Sequence, residues 1–173
     1  MDLELIKKEI ENWIFDYLDV PSAFYNGNKP CPFAVKAWRD QQVKIVMGDK
    51  ATVRQQVYRW NDDYKLVVVV YDPALWKNPE PWAERYNERI VDKDLYVMVF
   101  DPDDDEPNDP NLTCDLYEQV VDYEYGMVFI QRLKELNNFS MFLESQNYYG
   151  NCSDDFIEYV NKRRSYNAGK KKG

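Results

Sequence analysis

Leu66-Val67-Val68-Val69-Val70-Tyr71-Asp72-Pro73 decides the fold of this chain. Its six leading residues are all apolar, with no polar alternate, so the segment reads as a strand buried on both faces. Asp72-Pro73 ends it, because Asp caps a turn and Pro cannot continue a ladder. The pattern returns in Tyr96-Val97-Met98-Val99-Phe100-Asp101-Pro102, and an earlier strand, Val43-Lys44-Ile45-Val46-Met47, ends at Gly48-Asp49. Helical spacing fills the intervals. Thr52 to Trp60 carries Val53, Val57 and Trp60 on one side, and Pro81 to Ile90 carries Trp82, Tyr86 and Ile90. Strand, helix, strand, helix, strand predicts parallel pairing through right-handed crossovers.

Working outward, Leu3, Ile6, Ile10, Trp13, Ile14 and Tyr17 predict an amphipathic helix over 3–18, stopped by Val20-Pro21. Pro32 at a first-turn position starts a short helix to Arg39. Beyond Phe100, the acidic and proline-rich residues 101–111 read as a surface loop. Residues 115–146 are read as helix on Phe129, Leu133, Leu136 and Leu143, although Met127 to Ile130 alone also suits a strand. Ser153 N-caps a last helix with Phe156, Ile157 and Val160 inward. The expected fold class is α/β: a single domain over 1–165, with a small, mainly parallel three-stranded sheet flanked by helices. A basic disordered tail is expected at 166–173.

Composition narrows the chemistry. At 173 residues, 16% of them aromatic, the chain can bury one proper core despite 31% charge. The net charge is −9, and six basic residues with no acidic one follow position 161 (Lys162, Arg163, Arg164, Lys170, Lys171, Lys172), so the body is more acidic still. Such a body repels a phosphate backbone, and nucleic acid is not an expected partner for it. The longest apolar run is far below the ~20 residues of a membrane helix, so no membrane is expected. Histidine is absent. That excludes a Ser-His-Asp triad, a Cys-His pair and histidine-ligated zinc within the chain, and no haem is expected. Three cysteines without a Cys-x-x-Cys pair do not make a disulfide framework, and the charged N-terminus reads as no signal peptide. A cytoplasmic protein is expected.

Two constellations could carry function. Asp49, Asp72 and Asp101 close the three strands, and in an open parallel sheet the carboxyl ends line the crevice where ligands bind. Asp72 and Asp101 would suit a divalent cation such as Mg²⁺; equally, Asp-Pro is an ordinary strand exit. The run Asp101 to Glu106 fails as a calcium loop, since Glu106 stands where glycine is needed and Leu112 where the closing glutamate belongs. The second constellation is Asn28-Lys29-Pro30-Cys31-Pro32-Phe33-Ala34. A thiol at a helix N-terminus, with Lys29 or Lys36 beside it, is the arrangement that activates a catalytic cysteine, and it is equally a small buried cap. A resolving cysteine is missing, with Ala34 in its place.

In order, these elements resemble an uncharacterised bacterial family catalogued as domain of unknown function 1415. The match lies in Cys31, Pro32, Phe33 and Ala34, followed by the strand Gln42-Val43-Lys44-Ile45-Val46. Two later strands of that family end in His-Pro, and Asp72-Pro73 and Asp101-Pro102 stand at the equivalent positions. If the family's histidines are functional, the resemblance implies a shift here toward harder metal ions, or lost activity. The composition, rich in tyrosine, asparagine and aspartate, is also similar to that of large marine bacteriophage proteins. The expected function is a soluble domain binding a small ligand or cation at the carboxyl edge, near Cys31, Asp72 and Asp101. A monothiol redox protein using Cys31 and an acidic protein–protein interaction module without catalysis are the alternatives. Catalysis itself is left open.

Overall fold

Every residue of Leu66–Tyr71 is buried, and the rest of the molecule is arranged to cover it. In a computed structural model, which describes residues 1–101 and 125–166, the chain forms α1 (Leu3–Trp13), α2 (Pro32–Arg39), β1 (Val43–Met47), α3 (Lys50–Tyr58), β2 (Leu66–Tyr71), α4 (Glu80–Ile90), β3 (Leu95–Phe100), β4 (Gly126–Arg132), α5 (Leu133–Ser145) and α6 (Asp154–Ser165). The fold is mixed α/β. No described helix is long and apolar enough to cross a membrane. The acidic loop expected after Asp101 and the tail beyond Tyr166 lie outside the described residues.

The three-stranded, mainly parallel sheet is corrected to a four-stranded mixed one, in the order β1-β2-β4-β3. Only β1 and β2 pair in parallel, and β4 runs antiparallel to both β2 and β3. The helix expected over 115–146 starts only at Leu133, because Leu133, Leu136 and Leu143 carry the helical spacing without help from Phe129. The preceding Met127-Val128-Phe129-Ile130 is an apolar run with no polar alternate, and it takes the place between β2 and β3 where both strand faces need cover. With β4 reversed between them, β1, β2 and β3 still point the same way.

Alternation along the strands divides the core into two layers. On one face, Ile6, Ile10, Trp13, Ala34, Val35 and Ala37 of α1 and α2 pack on Leu66, Val68, Val70, Met127 and Phe129. On the other, Val53, Val57, Trp82, Ala83 and Ile90 of α3 and α4 pack on Val67, Val69, Tyr71, Val97, Val128 and Ile130. Gly126 lies opposite Tyr71, and a Cβ there would stand 2.2 Å from the tyrosine ring. Glycine is required at that position because the ring crosses the strand's backbone.

At the middle of β3's free edge one buried side chain takes up the outward backbone groups. Asn87 of α4 donates through Nδ2 to the Val97 carbonyl (2.9 Å) and accepts the Val97 N–H on Oδ1 (2.8 Å), as a neighbouring strand would. Asn87→Ala leaves both backbone groups of Val97 without these partners. It should lower stability by about 2–4 kcal/mol in urea unfolding.

Candidate functional site

At the carboxyl edge, backbone amides occupy the first two aspartates. Asp49 N-caps α3, its Oδ1 accepting from the amides of Thr52 (3.1 Å) and Ala51 (2.9 Å), and the Thr52 amide foremost holds its carboxyl below the usual range. Asp72 accepts the Ala74 N–H (2.8 Å) in the turn that leaves β2. Asp101, half-buried, follows β3. Because β4 stands between β2 and β3, Asp72 and Asp101 are separated by two strand spacings, about 10 Å. The residues before them, Tyr71 and Phe100, already lie on opposite faces of the sheet. Bridging one ion needs oxygens within ~2–2.6 Å of it. Among the described residues, no group of three or more Cys, Asp or Glu is arranged to hold a metal ion. Aromatic side chains fill this end of β2 on its α3–α4 face, where Trp76 contacts Tyr71 (5.1 Å) and Trp82 (5.2 Å), and Lys50 and Arg54 lie over Trp82.

Cys31 stands at the N-cap position of α2 and packs against the α1–α2 side of the core. Burial pushes its thiol above the ordinary value, an effect the amides of Ala34 and Phe33 offset only in part. The lysines that would activate it are engaged elsewhere. Lys29 pairs with Asp19 (2.6 Å), which Arg39 also grips, and Lys36 pairs with Asp40 on its own helix. The Tyr148 hydroxyl donates to the Pro30 carbonyl next door. The segment serves as a helix start and a core cap.

A cleft of about 460 Å³ opens at the other end of the sheet. Phe33 and Ala37 of α2 and Phe139 and Phe142 of α5 make its apolar wall, with Phe33 and Phe139 in edge-to-face contact (6.2 Å). Gln42 and Lys65, immediately before β1 and β2, close the floor, and Lys36, Asp40, Glu135 and Asn138 stand on the rim. The two helices come together through their flanking loops. Tyr25 stacks on Tyr148 (4.3 Å), Asn28 donates to the carbonyls of Tyr25 and Gln146, and Asn26 donates to that of Asn147. Both Asn26 and Asn147 adopt left-handed backbone, at φ 54° and 58°, which asparagine tolerates.

Charge in the cleft cancels. Lys65 pairs with Glu135 (2.6 Å), and Lys36 with Asp40. Gln42 and Asn138 add side-chain amides that can donate and accept. None of the sequence-expected site residues lines this cleft. A signal was present on α5: Leu133, Ser140 and Leu143 form its buried stripe, and Phe142, 57% exposed, falls outside it. An aromatic side chain off the core stripe marks a surface that can receive something. Comparison with family models, curated proteins and solved structures finds no match, so the functional reading rests on this geometry.

Burial raises the proton affinity of Cys31, Tyr96, Tyr148 and Tyr159 in the folded chain. Their contribution to stability is therefore complete below the ordinary values, 9.0 for the thiol and 10.0 for the phenols, and is lost as pH rises past them. Melting temperature should fall steadily above about pH 9 in scans from pH 7 to 11. At pH 7.5, Cys31 should react with a disulfide probe about tenfold more slowly than a cysteine in a short peptide.

Proposed function

We propose that this chain is a binding domain whose α2–α5 cleft receives a small, uncharged, mainly apolar ligand. The observation that carries this reading is the cleft itself: a mostly aromatic wall beneath a rim whose two cations and two anions pair with one another. Its volume of about 460 Å³ falls within the ~300–1,000 Å³ of ordinary ligand pockets, which are likewise apolar with a few placed polar groups. A charged ligand would have to break an existing ion pair, whereas a neutral one has only the wall to cover and the amides of Gln42 and Asn138 to bond. The wall supplies affinity through buried area, and the amides fix orientation. The site therefore sits at the amino ends of β1 and β2, opposite the carboxyl edge to which the strand-end aspartates point.

Titration with the neutral fluorophore N-phenyl-1-naphthylamine tests the reading. Saturable binding should appear with Kd on the order of 10–100 μM, as expected for a rigid ligand of that size. Asn138→Trp fills the mouth from an exposed position and should weaken binding about tenfold, a loss of ~1.4 kcal/mol, without lowering the melting temperature. Equal binding by the variant, or a rise in fluorescence that never saturates, would sink the idea. Added Mg²⁺ or Mn²⁺ should leave the melting temperature unchanged, whereas an upward shift would restore a cation site to the strand ends.

A further inference from the structure

The two edges of the sheet are treated differently. On β3 the outward-facing backbone at Val97 is occupied by Asn87. On β1 the pairing shows which groups face out. The Gln42 carbonyl accepts from Lys65 and Leu66, and the Gly48 N–H donates to Val70, so even-numbered residues face β2. Strand groups alternate, and the N–H and C=O of Val43, Ile45 and Met47 therefore point away from the sheet. Among the described residues these groups have no hydrogen-bond partner. Every residue of β1 is at least partly exposed, where every residue of β2 is buried. Of the usual guards against strand addition, β1 has no proline and no bulge, and carries a single charged side chain. That residue, Lys44, turns back onto its own chain, donating to Gln56 (2.9 Å) and lying over the Tyr64 ring.

We infer that two copies of this chain associate through β1, antiparallel about a two-fold axis at Ile45, giving a continuous eight-stranded sheet. The strand is self-compatible in that register. Ile45 meets Ile45, Val43 meets Met47, and Lys44 meets Val46, so no like charges stand directly opposite. The fold also explains why the assembly would stop at two. A two-fold contact uses the same surface on both copies, and the outer edges of the joined sheet would be the two β3 strands, each with its central outward pair of groups, at Val97, occupied by Asn87. A peptide or a different protein could use the same edge, but only a second copy brings a strand already matched to it. The charge of −9 on each copy opposes association at long range, so the dimer should tighten with salt.

Sedimentation of the full chain over a range of concentrations should move from 20.7 kDa toward twice that mass. The dissociation constant should fall several-fold between roughly 0.05 and 0.5 M NaCl. Hydrogen exchange at the Ile45 amide should slow in step with the dimer fraction. Met47→Pro removes one outward N–H at an exposed position (38%) and should return the chain to monomer with its melting temperature kept within a few degrees. Met47→Glu, which keeps the backbone N–H, should weaken the dimer by facing a carboxylate toward Val43 of the other copy. A chain that stays monomeric at every concentration overturns the proposal. So does a dimer indifferent to both substitutions, and so does an Ile45 amide already protected in the monomer, which would mean the chain covers its own edge.

Discussion

Leu66–Tyr71 has no side chain that can face water, and this single constraint organises the molecule. A strand apolar on both sides needs a helical layer above, another below, and a strand on each flank. The α1–α2 pair and the α3–α4 pair supply the layers, and β1 and β4 supply the flanks. Aromatic packing then fixes how closely the parts approach. Gly126 lets the Tyr71 ring lie across β4, and Trp13 packs edge-on against both Phe100 and Phe129, at 6.0 and 6.5 Å. Asp19, held by Lys29 and Arg39, ties the chain that follows α1 to the loop before α2 and to the last residue of α2.

Local patterns made most of this legible. Pro32 at the start of α2, Ser153 before α6 and the spacing of Ile6, Ile10 and Trp13 are signals whose physics acts over one or two turns. The strand at 126–132 escaped because its Phe129 stands four and seven residues before Leu133 and Leu136, so a helical stripe ran on unbroken into the strand. Nothing local in Met127-Val128-Phe129-Ile130 states that it will insert between two strands that precede it. That placement is decided by which surface remains uncovered once β2 and β3 exist.

The candidate site was less legible for a related reason. A carboxyl-edge site needs a crevice left open between strand ends, and here the ends of β1 and β2 are filled by caps and by Trp76 and Trp82. The cleft is instead the product of a loop contact between residues more than a hundred positions apart, Tyr25 with Tyr148 and Asn28 with Gln146. Phe33 reads correctly as an apolar residue of α2, but its partner Phe139 is known only after those loops dock. Cys31 carries a similar lesson. Its position at a helix start is visible in sequence, whereas the diversion of Lys29 to Asp19 and of Lys36 to Asp40 is not.

The insertion of β4 also sets an order of assembly on the ribosome. The β1–α3–β2 unit closes within about thirty residues and can form as soon as Tyr71 emerges. β3 emerges with α4 and the Asn87 contacts to Val97, but its inner edge faces a gap until residue 132 has been made. At roughly 5–20 residues per second, that gap stays open for several seconds of synthesis. During that interval the nascent chain presents two unpaired apolar strand edges, β2 and β3, in parallel orientation at the width of one missing strand. Unpaired apolar edges of this kind are where incompletely made chains aggregate, and β4 removes both at once.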